Sequence, residues 1–587
     1  MDYFRLRGIG VSPGIALGEV LLTERVIFTE RKESISPDKV EQELKRLKRA
    51  IKRTKEQLTH IKDQIKKKMG EEYSFIFEAH LLILEGKSLH SDFERIIKEE
   101  NCRAEWSLSR VHDKYGKLFE SLNDEYFKQR KSDITDVLAR VYRNLESVDQ
   151  KKEDEGREKI LVSHELLPSE AALKLSKGNV LAVALDMGGQ TSHTAILARS
   201  LDVPAVVGLH NISQKVKNGD TLIVDGTDGE VLVNPPLAIR KEFLSKKQKY
   251  NDYRKELRKT AKLSSLTLDD VKFSPLANIE LPEEVNLALS LGAEGIGLFR
   301  SEFIYLQSTS LPSEEDHFSI YSRIAKEAYP YPVYIRTVDV GGEKNLPQLK
   351  IEKEPNPALG LRAIRFSLRD KDLFKIQLRA ILRASFQKNV RILIPMITEI
   401  EEVEEVKLLF REVKDELKAK RIKFDEKIPL GVMIEVPAAA AITDLLVKEV
   451  DYLSIGTNDL IQYYLAVDRS NEFVSYLYKP LHPSILRLIK FIIETAHREG
   501  KEITVCGEMA ADPLSAIVLL GFGLTKFSMN PIFIPRIKKA LRSVEHKTVK
   551  RVMQKAMTLK TAQEIEECII ENILAKHPEA FLMGQVI

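Results

Sequence analysis

Apolar spacing defines the first long element. After Ser36-Pro37-Asp38, which combines a cap, a proline and a first-turn acid, Val40, Leu44, Leu47, Ile51, Leu58, Ile61 and Ile65 keep heptad-like spacing as far as Gly70. That pattern predicts an amphipathic helix with its other faces crowded by lysine and arginine. Further helices are predicted over 71–84, 104–122 and 133–145, and proline is absent from Asp38 through Leu145. The segment reads as an all-helical insert, a bundle of hairpins. Its apolar faces form either an ordinary core or a docking surface.

The texture on either side differs. Residues 4–23 read as short extended pieces broken by Gly8, Gly10 and Ser12-Pro13-Gly14. Beyond a polar linker at 147–159, strands are predicted at 159–163, 180–184 and 204–207, then at 221–225 and 230–234 around a Gly-Thr-Asp-Gly turn. From Ala238 to about Leu263 the chain is strongly charged with few apolar positions, as in an exposed connecting helix. Strands and helices then alternate. Strands are expected at 274–279, 295–300, 332–339, 390–396, 429–435, 452–455, 502–506 and 526–529. Eight such units are the signature of a (β/α)8 barrel.

Composition narrows the class. A chain of 587 residues needs several domains, and 43% hydrophobic with 30% charged residues describes a globular protein. Its 91 basic and 87 acidic residues leave a net charge of +4, so nothing demands nucleic acid. Cys102, Cys506 and Cys568 are widely separated, without zinc or disulfide spacing. With no signal-peptide core at the start and no apolar run long enough to span a bilayer, a cytoplasmic protein without membrane insertion is expected.

Candidate chemistry sits in two places. Gly188-Gly189-Gln190-Thr191-Ser192-His193 precedes a helical run through Arg199. The glycines permit a tight turn, Thr191 or Ser192 can cap the helix, and His193 falls in its first turn, where free N–H groups favour an anion. His193 is either a phosphoryl acceptor or a surface histidine beside a cap. In the barrel, catalytic groups belong at the C-terminal strand ends. There lie Arg300, Arg336, Glu435, Asn458, Asp459 and Cys506, with Arg469 downstream and Arg362 in the loop after the third strand. Any single arginine could be a structural ion pair; several at one face suit a small polyanion. Glu435 and Asp459 are hard oxygen ligands suited to Mg²⁺. Cys506 is a proton donor, a nucleophile or a small buried hydrophobe. Phosphoryl transfer between the two places is the economical reading.

The chain resembles the phosphoenolpyruvate–protein phosphotransferases, the first enzymes (Enzyme I) of bacterial sugar phosphotransferase systems. The likeness runs nearly end to end. It rests on Thr-Ser-His-Thr-Ala-Ile-Leu-Ala-Arg-Ser at 191–200, Gly-Leu-Phe-Arg-Ser-Glu-Phe at 297–303 and Ile-Arg-Thr-Val-Asp-Val-Gly-Gly-Glu-Lys at 335–344. It continues in Met-Ile-Glu-Val-Pro-Ala-Ala at 433–439, Ser-Ile-Gly-Thr-Asn-Asp-Leu-Ile-Gln-Tyr at 454–463, Ala-Val-Asp-Arg at 466–469 and Val-Cys-Gly-Glu-Met-Ala at 505–510.

The resemblance implies a multidomain α/β protein: a swivelling phosphohistidine domain (1–23 and 147–237) with a helical carrier-binding insert (24–146), a linker helix (238–263) and a barrel (264–587). It implies that phosphoenolpyruvate phosphorylates His193 on Nε2, and that Arg300, Arg336, Asn458, Asp459 and Arg469 hold this substrate, with Arg362 an addition. Glu435 and Asp459 would carry Mg²⁺, and Cys506 would protonate the enolate to pyruvate. A histidine of a small phosphocarrier protein would then receive the phosphoryl group, and the barrel would form a homodimer. Two departures stand out: Gln190 replaces the family's usual arginine, and Leu167 replaces a threonine. Both remove polar support near His193.

Other readings predict other features. A dikinase-like enzyme needs an ATP-binding domain, and the N-terminal 150 residues carry no P-loop. A nitrogen-type regulatory phosphotransferase usually has an additional N-terminal sensory domain. A catalytically weak carrier-binding scaffold would have no need of His193, Glu435, Asp459 and Cys506.

Overall fold

The computed structural model describes residues 3–23, 28–29, 31–69, 75–120, 125–146, 158–176, 178–189, 192–306, 311–341, 354–469, 471 and 473–576. The chain divides into two compact units, with the boundary between Tyr253 and Arg254.

In the first unit, eight strands form one sheet: β1 (Phe4–Arg7), β2 (Ile9–Ser12), β3 (Ile15–Leu22), β4 (Lys159–Ser163), β5 (Val180–Leu185), β6 (Ala205–Val207), β7 (Thr221–Asp225) and β8 (Glu230–Val233). Their spatial order is β1-β8-β7-β3-β4-β5-β6-β2. The middle run β3-β4-β5-β6 is parallel, and antiparallel pairs flank it. Helices occupy four of the sheet's connections. The first carries α1 (Val40–Met69), α2 (Phe75–Glu85), α3 (Lys87–Glu100), α4 (Ala104–Glu120) and α5 (Glu125–Glu146) between β3 and β4. The others are single helices in successive connections: α6 (Pro168–Ser176) between β4 and β5, α7 (His193–Ser200) between β5 and β6, and α8 (Ile212–Lys215) between β6 and β7.

The expected insert is therefore helical, but α3 was absent from the sequence reading. Its Leu89, Phe93, Ile96 and Ile97 lie at helical spacing and are all buried. The insert is also not sealed off from the α/β domain. One apolar core runs from Leu108 and Val111 of α4 and Val137, Leu138 and Val141 of α5 to Val183 and Leu185 of β5 and Ala195, Leu197 and Ala198 of α7. Polar bonds reinforce that junction. Asp136 accepts the Ser169 amide at 2.7 Å and the Ser169 hydroxyl at 2.6 Å, and the same hydroxyl accepts from Arg140 Nη2 at 2.6 Å.

The charged segment at 238–263 forms α9 (Leu237–Ala261), which crosses the boundary between the units. Its N-terminal half is anchored in the first unit by Lys246, whose ammonium reaches Asp225 and Asp228 at 2.7 Å each. Its C-terminal end is anchored in the second by Lys539 to Glu256 at 2.9 Å and Lys538 to the Ala261 carbonyl at 3.1 Å.

The second unit is a closed parallel barrel: β9 (Ser274–Ile279), β10 (Ile296–Arg300), β11 (Val333–Arg336), β12 (Val390–Ile394), β13 (Leu430–Ile434), β14 (Tyr452–Ile455), β15 (Glu502–Val505) and β16 (Lys526–Met529), closing on β9. All eight expected strands are present, β9, β14 and β16 with the expected bounds and the other five shorter. Inside it, Leu276, Leu298, Tyr334, Leu393, Met433 and Tyr452 fill the bore below Cys506. At the N-terminal strand ends, Glu502 gathers Tyr334, Arg391 (2.9 Å) and Lys526 (2.5 Å), which closes that mouth with paired charge. The opposite mouth is left for chemistry. No described helix is long and apolar enough to cross a membrane.

Candidate active site

His193 is the first residue of α7. Gly188 turns the chain at φ +120°, and Ser192, in extended conformation, accepts the Ala195 amide at 3.3 Å. This is the N-cap the local sequence anticipates, with Ser192 as its acceptor. Thr194 donates its buried hydroxyl to the Leu166 carbonyl at 3.1 Å. Leu167 therefore adjoins the first turn of α7 as a half-buried apolar side chain. Gln190 and Thr191 lie outside the described residues.

Every other predicted site residue belongs to the second unit. The C-terminal strand ends surround a cavity of about 220 Å³ lined by Arg300, Arg336, Arg362, Glu435, Asn458, Asp459, Arg469 and Cys506. Arg300 and Arg336 close β10 and β11; Glu435 and Cys506 are the first residues beyond β13 and β15. Asn458 and Asp459 occupy the first turn of the helix Thr457–Leu465.

The arginines are held by carboxylates. Buried Arg336 pairs with Glu302 and, at 3.2 Å, with Asp339. Arg362 donates to both Asp339 oxygens at 2.9 and 3.1 Å, to Asp459 at 2.9 Å and to the Tyr463 hydroxyl at 3.1 Å. Its placement uses a strained neighbour: Ala363 sits at φ +53° and donates its amide to the Val340 carbonyl at 2.9 Å. Burial alone would lower both guanidinium pKa values, but the surrounding carboxylates outweigh it and raise them. Arg300 meets Glu280 at 2.6 Å, half-exposed. Arg469 and Asn458 converge on Glu508, at 3.3 and 3.1 Å, and Asn458 accepts the Glu508 amide at 2.7 Å.

Glu435 is 2% exposed and accepts the Met396 amide at 2.7 Å, with Met396 at φ +59°. Its other oxygen lies over Gly456, where a Cβ would approach it to 2.6 Å. Burial, then the charges of Asp459 and Asp339, push this carboxyl well above the ordinary range. A pocket with crowded carboxylates and a bare glycine beside one oxygen fits a small hard cation held by Glu435 and Asp459. Among the described residues no group of three or more His, Cys, Asp or Glu is arranged to hold a metal.

Cys506 lies 3.4 Å from the Ser454 hydroxyl, which itself accepts from Thr504 at 3.0 Å. Burial is the main cause that pushes the thiol up to about 11, and nearby Glu435 adds to it. The group therefore stays protonated at neutral pH, which favours a proton donor over a thiolate nucleophile.

The sequence reading missed the counter-ions Glu280, Glu302, Asp339 and Glu508. Three of them lie inside blocks that were quoted, as Arg-Ser-Glu, Val-Asp-Val and Gly-Glu-Met. Only their distance to an arginine, absent from a linear string, assigns them.

Comparison with known proteins assigns the chain to a family. Three sequence families match: "PEP-utilising enzyme, N-terminal" over residues 7–130, "PEP-utilising enzyme, mobile domain" over 156–229 and "PEP-utilising enzyme, PEP-binding domain" over 254–546. The phosphoenolpyruvate-protein phosphotransferase of Bacillus sp. (strain S) is 40% identical over 561 residues, covering 95% of this chain and 96% of that protein. That of Haemophilus influenzae is 40% identical over 574 residues, covering 97% and 99%. An NMR solution structure of Enzyme I (nEIt) shares 40% identity and covers 42% of this chain and 99% of its own, with a TM-score of 0.36. The chain belongs to the phosphoenolpyruvate–protein phosphotransferase family.

Proposed function

We propose that the protein transfers the phosphoryl group of phosphoenolpyruvate to its own His193 and then to a histidine of a small phosphocarrier protein, releasing pyruvate. The observation that carries this reading is the barrel-mouth cavity, where four arginines, two carboxylates suited to a cation and a protonated thiol converge.

Arg300, Arg336, Arg362 and Arg469, with Asn458, hold the phosphate and carboxylate of the substrate by charge-assisted bonds. In the first transfer the phosphorus–oxygen bond to the enolate breaks and a phosphorus–nitrogen bond to His193 Nε2 forms. The electron pair stays on the enolate oxygen. Cys506 then donates its proton to the enolate carbon, giving pyruvate, and recovers a proton from solvent. In the second transfer the phosphorus–nitrogen bond to His193 is exchanged for one to the carrier histidine. Glu435 and Asp459 are the residues that would hold Mg²⁺, which when bound supplies positive charge beside the transferring phosphoryl group.

The helical insert over 24–146 is the docking surface for the carrier, and His193 travels between it and the barrel. The charged segment over 238–263, which forms most of α9, is the natural hinge region. The barrel pairs with a second copy, and Phe473 and Tyr476, exposed on the segment beyond β14, offer apolar surface for that contact. The protein acts in the cytoplasm.

The test is incubation with 32P-labelled phosphoenolpyruvate and Mg²⁺, followed by a candidate carrier. The expected result is acid-labile, base-stable label on the chain, chased onto the carrier. Label that persists on a His193→Ala variant would overturn the assignment.

A further inference from the structure

Beyond the cavity wall, a side chain with no part in binding connects the two strand ends that carry the first two arginines. The ladder between β10 and β11 stops at the register pair Arg300 and Arg336. After it, no strand pairing holds Ser301 and Glu302 against Thr337, Val338 and Asp339. On the cavity side the Arg336–Glu302 ion pair joins the two segments. On the outer side the join is made by Gln377, from the helix Lys371–Ala384. Its amide is fully buried and every one of its donors is engaged. It accepts the Val338 amide at 3.0 Å and donates to the Ser301 hydroxyl at 2.9 Å and to the Tyr321 hydroxyl at 3.0 Å.

We propose that Gln377 is a positioning residue for the substrate arginines, bridging the backbone between Arg336 and Asp339 to the residue between Arg300 and Glu302. This rests on the reading of the cavity as the phosphoenolpyruvate site. A buried amide of this kind can serve only to satisfy core polar groups. Here, however, two of its partners lie one or two residues from Arg300 and Arg336, at the point where the β-ladder ends. A shift of one segment relative to the other would move one guanidinium while leaving the other in place. Small displacements of binding groups are expensive in catalysis. The third partner, Tyr321, does not line the cavity. It comes from the helix Glu314–Ala328, pairs with His317 Nδ1 at 3.0 Å, hydrogen-bonds Ser301 as well and packs edge-on against Phe299, so it supports the Arg300 side of the bridge, whereas the Val338 amide on the Arg336 side bonds to Gln377.

That asymmetry supplies the test, made on the full chain with Mg²⁺ and carrier present. Gln377→Met keeps the length and loses all three bonds; Tyr321→Phe leaves the glutamine's bonds to Val338 and Ser301 in place. Both should lower the thermal midpoint, but Gln377→Met alone should raise the KM for phosphoenolpyruvate, by about tenfold, with the KM for the carrier unchanged. If Gln377→Met does not fold, Ser301→Ala takes its place and should raise the same KM in part. The inference is overturned if Gln377→Met, or Ser301→Ala in its stead, leaves that KM within about twofold of wild type, less than positioning should cost. It is equally overturned if Tyr321→Phe raises it as much at the same thermal loss. Calorimetric titration of the unaltered protein with phosphoenolpyruvate separates the two layers. Failure to bind sinks the reading of the cavity, whereas normal binding with an indifferent Gln377→Met sinks only the bridge.

Discussion

Arg362 donates from Nη2 to Asp459 Oδ2 at 2.9 Å, so a carboxylate proposed to hold the cation is also the partner of a guanidinium proposed to hold substrate. The same guanidinium forks onto both oxygens of Asp339. Arg362, Asp339 and Asp459 are therefore one connected network, in which each group orients the other.

Arg362→Lys keeps the charge but cannot fork onto Asp339 while reaching Asp459. Each charge-assisted bond is worth about 1.5–3 kcal/mol, so the variant should lose roughly tenfold or more in kcat/KM for phosphoenolpyruvate. Because Asp459 loses its orienting partner, the Mg²⁺ concentration needed for half-maximal rate should rise as well. Steady-state kinetics at several Mg²⁺ concentrations checks both. A change in kcat/KM with an unmoved Mg²⁺ requirement would show that the contact to Asp459 is incidental.

Cys506→Ala removes a thiol held protonated by burial at about 11. General acid catalysis contributes about 10²–10⁴ in rate, so pyruvate release should slow by that order while phosphoenolpyruvate binding changes little. Rapid-quench measurement of pyruvate alongside equilibrium titration makes the comparison. Pyruvate appearing at the wild-type rate would reject the donor role.

His317 offers a pH prediction away from the cavity. Burial pulls its ring from 6.5 down to about 4, with Asp316 opposing weakly. The folded state thus binds fewer protons than the unfolded chain between those values. The stability this histidine provides is complete above 6.5 and is lost as pH falls towards 4. His317→Gln should flatten that part of the profile. Thermal midpoints from pH 7 to 4 give the comparison, and parallel curves for the two proteins would contradict it.

Much of the architecture was legible in the string because it follows from local periodicity. The heptad positions Leu44, Leu47, Leu58 and Ile61 are all buried on α1, and the eight barrel strands were found because each is a short apolar run between helices. The helix α3 was passed over although Leu89, Phe93, Ile96 and Ile97 carry the same periodicity. The polar start that follows Gly86 obscured it.

Residue identity and order along the chain determined the fold class, the chemical types at the strand ends and the motif blocks. A strand end is a local property, and Arg300, Arg336, Glu435 and Cys506 mark four of them. What only the tertiary structure decided are relations between residues far apart in sequence. These are the pairing of Arg362 with Asp459, the convergence of Asn458 and Arg469 on Glu508, the core shared between insert and α7, and the bridge through Gln377. Closure of the barrel creates them by bringing consecutive strand ends around one mouth, and burial then makes each charge depend on its neighbours. The pKa directions of Glu435 and Cys506 likewise come from that burial. A cysteine that reads equally as donor, nucleophile or core filler becomes a protonated thiol at the cavity wall because the folded chain removes water from around it.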